Sequence, residues 1–319
     1  NEKPVNITDQ NKINNLTEED NNIIMKWENE LETCEYMFKD LDNIIEIDLS
    51  NIDFSNVRSM RYMFYNCSNL RSIKLNNRNA SLVTTMEGLF LRCYSLTSLD
   101  MSNFNTSSIK SISFMFKDCY SLISLNLSNF NTSSIKEMQS VFDNCFSLIS
   151  LDLSKFDTSI VTNMMKTFSN CTSLKSLDLS SFDTSSVEIM LDMFSYCSSL
   201  TSLDLSHFNT SKVLSMAGMF FECKNLVSIN LSNLNLLNGE KYINYLFSNC
   251  SSLAFINISN VREGNETSVN NMFEGVPDNL IFCSHSENIS NILKELQNNK
   301  CPINNCSYNW KNSQKKVIV

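Results

Sequence analysis

The chain has 319 residues, a formal net charge of −9, two histidines, and only 5 Gly and 3 Pro. The acidic balance excludes nucleic acid and anionic membranes as expected partners, because both demand a basic stripe. No run approaches the ~18 continuous apolar residues of a spanning helix, so no direct membrane insertion is expected.

In chain order, Thr17 followed by Glu18, Glu19 and Asp20 reads as a helix start. Ile23, Ile24, Trp27, Leu31 and Cys34 then fall on one helical face, so residues 1–33 are read as a polar segment and capping helix. From there the chain repeats. Cys67, Cys93, Cys119, Cys145, Cys171, Cys197 and Cys223 are separated by 26 residues each time, and Cys250 follows after 27. Phe64, Phe90, Phe116, Phe142, Phe168, Phe194, Phe220 and Phe247 form a second column, and Phe104, Phe130, Phe156, Phe182 and Phe208 a third. A fixed period of this length marks a stack of equivalent coils, each too small to bury its apolar edge alone.

Within a coil two spacings alternate. Leu125 and Leu127 share one face of a short strand. Val187, Met190, Met193, Phe194 and Cys197 recur at three- and four-residue steps, which predicts a short helix or 3₁₀ segment behind that strand. The Asn-Thr-Ser or Asp-Thr-Ser between them is turn and cap chemistry. The expectation is an α/β leucine-rich-repeat solenoid of about nine coils over residues 34–276, with one parallel sheet on its inner face. Pro277 breaks the pattern, and 277–319 is read as a cysteine-containing cap and tail, with Ile292, Leu293 and Leu296 in a short amphipathic segment.

The run MFxxCxSLxSLDLSxFNTSxV, clearest from Met190 to Val213, resembles the repeats of BspA-like leucine-rich-repeat surface proteins over roughly residues 34 to 275. The resemblance implies a secreted or cell-surface solenoid used for binding or adhesion, with no shared catalytic site. With no initiator Met and no signal peptide, the chain reads as a mature or trimmed ectodomain.

The residues flanking the apolar strand pair point away from the core and supply the candidate ligand surface. One column contains Ser124, Ser150 and Ser176; the next contains Asp100, Asn126, Asp152, Asp178 and Asp204, with Lys74 interrupting it. At ~4.8 Å per strand, nine coils give a sheet of about 43 Å, long enough for a protein or glycan ligand. Stacked carboxylates repel by roughly 0.2–1 kcal/mol per adjacent pair. They are read as a hydrated ladder held by neighbouring Ser hydroxyls, with a surface for basic ligands or a cation as the sharper alternative. A metal array is not expected along the cysteines, which lack a second ligand in each coil and read as buried apolar fillers. No metal and no cofactor are expected.

The Thr106, Thr132, Thr158, Thr184 and Thr210 column raises ice or mineral binding, against which a cap role is the plainer reading. Small caps gain most from disulfides, so one bond is expected from Cys283 to Cys301 or Cys306. Asn6, Asn79, Asn265 and Asn288 are N-glycosylation candidates should the source be eukaryotic. His207 and His285 stand in unrelated contexts and no glycine-rich phosphate loop occurs, so no enzyme is expected. The rival to an adhesion protein is a structural subunit that self-associates through its uncharged Ser/Asn/Thr exterior.

Overall fold

The computed structural model describes residues 30–75, 80–104, 106–236, 241–258, 262–263 and 267–283, together with the backbone of two strands nearer the N-terminus. Those are β1 (Lys3–Asn6) and β2 (Ile23–Lys26), paired in parallel. The helix expected around Ile23 is therefore a strand over those four residues. Consecutive β-branched Ile23 and Ile24 favour an extended backbone more than helical spacing favours a coil.

The rest is a parallel β-solenoid of about eight turns. Its strand side carries β3 (Glu46–Asp48), β4 (Ser72–Lys74), β5 (Ser98–Asp100), β6 (Ser124–Asn126), β7 (Ser202–Asp204), β8 (Ser228–Asn230), β11 (Phe255–Asn257) and β14 (Ile281–Cys283). Two-residue strands β9 (Asn235–Leu236), β10 (Lys241–Tyr242), β12 (Arg262–Glu263) and β13 (Thr267–Ser268) lie among the later coils. Register advances by one repeat per step, as in Leu99 opposite Leu125 and Ile256 opposite Phe282. The stack thus runs past Pro277, because a proline in a turn removes no ladder donor.

The expected single sheet is instead three separate ladders on this side: β3–β4, β5–β6, and β7–β8–β11–β14. Ser150–Asp152 and Ser176–Asp178 sit in the same column but join none of them. The continuous bonding lies opposite. Parallel bridges run unbroken from Thr33–Ser59 through Ser215–Tyr242.

Behind each bridge the chain makes overlapping turns, and the described residues contain no helix. In the coil at Met138–Asn144, alternate amides donate to the next coil: Met138 to Asn163 O (3.1 Å), Ser140 to Met165 O (2.8 Å), Phe142 to Thr167 O and Asn144 to Ser169 O (both 2.9 Å). Interleaved amides close local turns, as in Cys145 N to Phe142 O (3.1 Å). Left-handed residues make this possible. Ser140 (φ 54°) and Asn144 (φ 63°) recur as Tyr62 and Asn66, Lys166 and Asn170, Tyr245 and Asn249. A residue with positive φ every four positions breaks a helix but keeps apolar side chains three and four apart. That is why the spacing of Val187, Met190, Met193 and Phe194 imitated a helix.

The core lies between the two sides. Rings of the Phe64 column stack nearly parallel, fully buried from Phe38 to Phe247 and partly buried at Phe273, with centroids 5.1 Å apart at Phe38–Phe64 and 5.8 Å at Phe247–Phe273. Such contacts contribute about 0.5–1.5 kcal/mol per pair beyond burial. Each ladder cysteine donates its thiol to the phenylalanine carbonyl of the preceding coil, as from Cys145 to Phe116 O (3.2 Å) and Cys171 to Phe142 O (3.2 Å). They are more than fillers: each gives a buried carbonyl, already closing its own turn, a second donor from the next coil. Burial pushes Cys67 and Cys197 up to about 12 and the others upward too.

The coils spread towards the third column, where Phe130–Phe156 and Phe156–Phe182 centroids stand 6.2 and 6.4 Å apart. There a buried threonine fills the gap. Thr132 Oγ1 donates to Asp157 O (2.9 Å) and accepts from Asp157 N (2.7 Å); Thr106, Thr158, Thr184 and Thr210 likewise donate to the next coil. The threonines are internal rungs, 0 to 2 % exposed, which removes both the ice-binding and the helix-cap readings. The turn side is the tightly bonded side, correcting the expectation of an inner sheet.

Two outcomes follow for the framework. In the native protein the ladder thiols should stay unreactive towards a thiol-exchange reagent at pH 8 and become reactive on denaturation, since only a thiolate attacks; rapid native labelling would contradict the packing. Gly88 has φ +59°, and a Cβ there would overlap the Tyr62 ring, so Gly88→Ala should destabilise by about 1–3 kcal/mol from overpacking and by about 1–2 kcal/mol from the left-handed backbone. Denaturant unfolding measures that loss.

Candidate functional site

The outward columns occupy the strand side as expected. Ser124, Ser150, Ser176, Asp100, Asn126, Asp152 and Asp178 are all exposed. The columns are not uniform, however. Asp204 is only partly exposed, and Ser228 and Asn230 fall to 3 % and 5 %. The face therefore closes after Asp178, and its open part includes the region where Ser150–Asp152 and Ser176–Asp178 join no ladder.

Each member of the acidic column closes a local turn. Asp100 Oδ1 accepts from Ser102 N (2.9 Å), Asn126 Oδ1 from Ser128 N (3.2 Å), Asp152 Oδ1 from Ser154 N (3.0 Å), and Asp178 Oδ1 from Ser180 N (2.9 Å). Asp204 does the same with Ser206 N at 3.0 Å. Oδ1 of Asp or Asn serves equally, which explains why the column mixes them without losing the fold. The expected Ser–carboxylate ladder is present, but its principal donor is the serine two residues on in the same coil. Backbone and hydroxyl bonds from those serines hold Asp48, Asp100, Asp152 and Asp178 below the usual carboxylate range.

Cross-coil relief is uneven. Lys74 Nζ lies 3.4 Å from Asp48 Oδ2 at one end. At the other, Asn257 Nδ2 donates to Asn230 Oδ1 (3.0 Å) and Asn230 Nδ2 to Asp204 Oδ1 (3.1 Å). Between them, among the described residues, no ion pair reaches Asp152 or Asp178 within 4.0 Å. These two are neighbours in the column: Asp152 raises the cost of charging Asp178, an effect smaller than that of the Ser180 bonds, while Lys155 favours the charge on Asp152 and His207 that on Asp178. His207 stands beside them: its Nε2 is 2.8 Å from Leu179 O, a contact whose donor depends on the tautomer.

Among the described residues no group of three or more His, Cys, Asp or Glu is arranged to hold a metal ion. A cavity of about 10 Å³, lined by Met190, Leu205, Phe208 and Met219 among others, is too small and too apolar for a ligand or an ordered water. Cys301, Cys306, Asn79, Asn265 and Asn288 lie outside the described residues; of Cys283 and Asn6 only the backbone is described. The expected disulfide and glycans rest on those positions. No helix among the described residues is long and apolar enough to cross a membrane.

The sequence reading missed two features. The left-handed columns could have been found from Gly88 and Gly218 in one register and Asn66, Asn144, Asn170 and Asn249 in the other. The stacked rings of Tyr94, Tyr120 and Phe146 were visible as aromatics in a column that is polar in the other coils: Asp42, Ser68, Thr172, Ser198, Lys224 and Ser251.

The carboxylates give a signed pH prediction. Their folded pKa values lie below the unfolded value of about 3.9. The stability they contribute is therefore full above that value and lost as pH falls through the folded pKa. Asp152→Asn with Asp178→Asn should flatten this acid limb and lower the melting temperature at pH 7 slightly, since Asn keeps the turn acceptor but loses the charge that strengthens the serine bonds. An unchanged acid limb in the variant would contradict the turn-closing role.

No curated protein matches the chain. Solved structures with a similar arrangement include a leucine-rich repeat protein from Bacteroides ovatus (17% identity, TM-score 0.44), matched over 78% of this chain and 65% of that one. The chain thus spans about two thirds of that protein's length. A leucine-rich repeat protein from T. pallidum matches at 21% identity over 65% of this chain and 79% of that one, with TM-score 0.37. An internalin from Listeria monocytogenes matches at 16% identity over 74% and 77%, with TM-score 0.26. The family described as Mycoplasma protein of unknown function, DUF285, matches residues 32–148, 121–226, 146–260 and 196–281. Its overlapping matches cover the whole stack of 26-residue coils, whose repeats are of the BspA-like leucine-rich kind, and the chain belongs to this family.

Proposed function

We propose that this protein is a non-enzymatic binding or adhesion solenoid, secreted or displayed at a cell surface, that recognises a protein or glycan through its strand side. Asp100, Asn126, Asp152 and Asp178, flanked by Ser124, Ser150 and Ser176, form the contact surface, with Asp204 at its margin. One observation carries the reading: Asp152 and Asp178 are exposed, adjacent and, among the described residues, without an ion-pair partner within 4.0 Å, while the column is bonded along itself at both ends. Carboxylates already fixed by turn bonds lose little side-chain entropy when a basic or hydroxyl-rich ligand docks. On this reading about nine coils carry the surface, from residue 34 to the ladder strand Ile281–Cys283, with the residues before and after them as the end segments. Catalysis is not part of the reading, because the exposed columns repeat equivalent groups where a reactive site needs a unique constellation.

The test is a glycan array and a pulldown with the secreted protein, run in parallel with the Asp152→Asn, Asp178→Asn variant. A bound species that the folded variant loses by tenfold or more supports the assignment. Binding at unchanged affinity places recognition elsewhere.

A further inference from the structure

Beside the strand side, three aromatic rings break the repeat. Tyr94, Tyr120 and Phe146 stack with centroids 4.8 Å apart at both steps and interplanar angles of 26° and 22°. The same column holds Ser68, Thr172, Ser198 and Ser251 in other coils, so a ring there is no requirement of the fold. Three residues on, Ile123 and Ile149 are 49 % and 50 % exposed, in a column that holds Arg71, Thr97, Lys175 and Thr201 and also exposed Ile45 and Val227; those two follow Asp42 and Lys224, so it is at Ile123 and Ile149 that an exposed aliphatic follows a ring. Tyr120 and Phe146 are themselves 37 % exposed. Scattered single apolar residues on a surface need no explanation, but a contiguous set confined to neighbouring coils does.

The backbone beneath is bonded from coil to coil. Ser121 N donates to Tyr94 O (3.1 Å), Ser147 N to Tyr120 O (3.2 Å), Ser173 N to Phe146 O (3.2 Å), and Ile123 N to Thr97 O (2.9 Å). The strip is therefore set before any partner arrives, which removes part of the ordering cost of binding. Its shape selects the partner. The rings cover one another's faces and present their edges, so neither a sugar ring nor a nucleic-acid base has an open face to stack on along the strip. What remains is a ribbed apolar surface about 10 Å long, two coil steps, which aliphatic and aromatic side chains fit. Asp152 lies three residues beyond Ile149, roughly 10 Å along an extended strand. Asn126 and Asp178 flank it in the same column, with Asp100 one coil beyond Asn126. A chain crossing from the strip to that column meets carboxylates, which attract a lysine or arginine and repel phosphates.

We propose that the Tyr94–Tyr120–Phe146 ladder, with Ile123 and Ile149, is the apolar anchor for an extended segment of a partner protein that carries a bulky apolar residue a few positions from a lysine or arginine. The proposal rests on the binding role inferred above and names its partner class and a second contact area. Random dodecapeptides displayed on phage, panned against the full chain, provide the probe. Enriched sequences should pair an aromatic or branched aliphatic residue with a nearby basic one. When resynthesised, they should lose at least tenfold in affinity for Tyr94→Ser, Tyr120→Ser, Phe146→Ser, which installs the residue other coils carry. Should that variant fail to unfold cooperatively, Tyr120→Ser with Ile123→Thr serves as the second arm. Absence of enrichment, enrichment of acidic peptides, or equal binding to the ring variant overturns the proposal. Peptides that lose affinity only for the Asp152→Asn, Asp178→Asn variant also overturn it while sustaining the strand-side reading. Peptides that need the rings and ignore those carboxylates sustain the anchor and count against the strand-side reading.

Discussion

Everything in this solenoid hangs on the amide that points along the stack. In each turn segment every second N–H leaves its own coil and finds the carbonyl of the next, at 2.8 to 3.1 Å in the coil from Met138 to Asn144. A helix cannot do this, because its amides are spent within itself. The left-handed residues turn those donors outward, and a non-glycine residue in that conformation costs about 1–2 kcal/mol. Buried amides gain their partners in return, the phenylalanines come into register, and the cysteine thiol adds a second donor to a phenylalanine carbonyl that already closes a local turn. Remove the axial bonds and neither the ring column nor the thiol column has a reason to be straight.

Because the turn side holds the coils together, the strand side is relieved of that task. Its ladders can be interrupted at Ser150–Asp152 and Ser176–Asp178 without opening the core, since the threonine rungs and the axial amides continue through those coils. Freed from ladder duty, the exposed columns vary. Carboxylate and amide exchange places where an oxygen acceptor is all the turn needs, and aromatic residues replace serine for three coils on one edge. A rigid scaffold with a permissive face is the usual setting for recognition. The carboxylates of Asp152 and Asp178 and the ring ladder near them occur on the part of the face that stays open.

Much of this was legible in the sequence. The 26-residue ruler fixed the stacking, and alternation around Leu125 and Leu127 told which residues face outward; Ser124 and Asn126 are exposed as that alternation requires. Three things were not legible from apolar spacing. Overlapping turns with positive φ reproduce helical spacing, so Met190, Met193 and Phe194 pointed to a helix that does not exist. Thr132 looked like a cap because its neighbours are turn formers, whereas the width of the gap between coils, which no local pattern encodes, makes it an internal rung. Ile23 and Ile24 fit a helical face in projection, but their pairing partner lies twenty residues earlier at Lys3 and Pro4. Uneven exposure of the acidic column also escaped notice, since equivalent letters in a repeat conceal inequivalent surroundings.

Amide hydrogen exchange on the native protein tests the central claim most directly. Turn-side amides such as Phe142, Asn144, Phe168 and Asn170, bonded along the axis, should exchange only with global unfolding. Strand-side amides across Ser150–Asp152 and Ser176–Asp178 should exchange orders of magnitude faster. Uniform protection of the strand side with rapid exchange in the turns would show that the sheet, and not the turn ladder, holds the coils together.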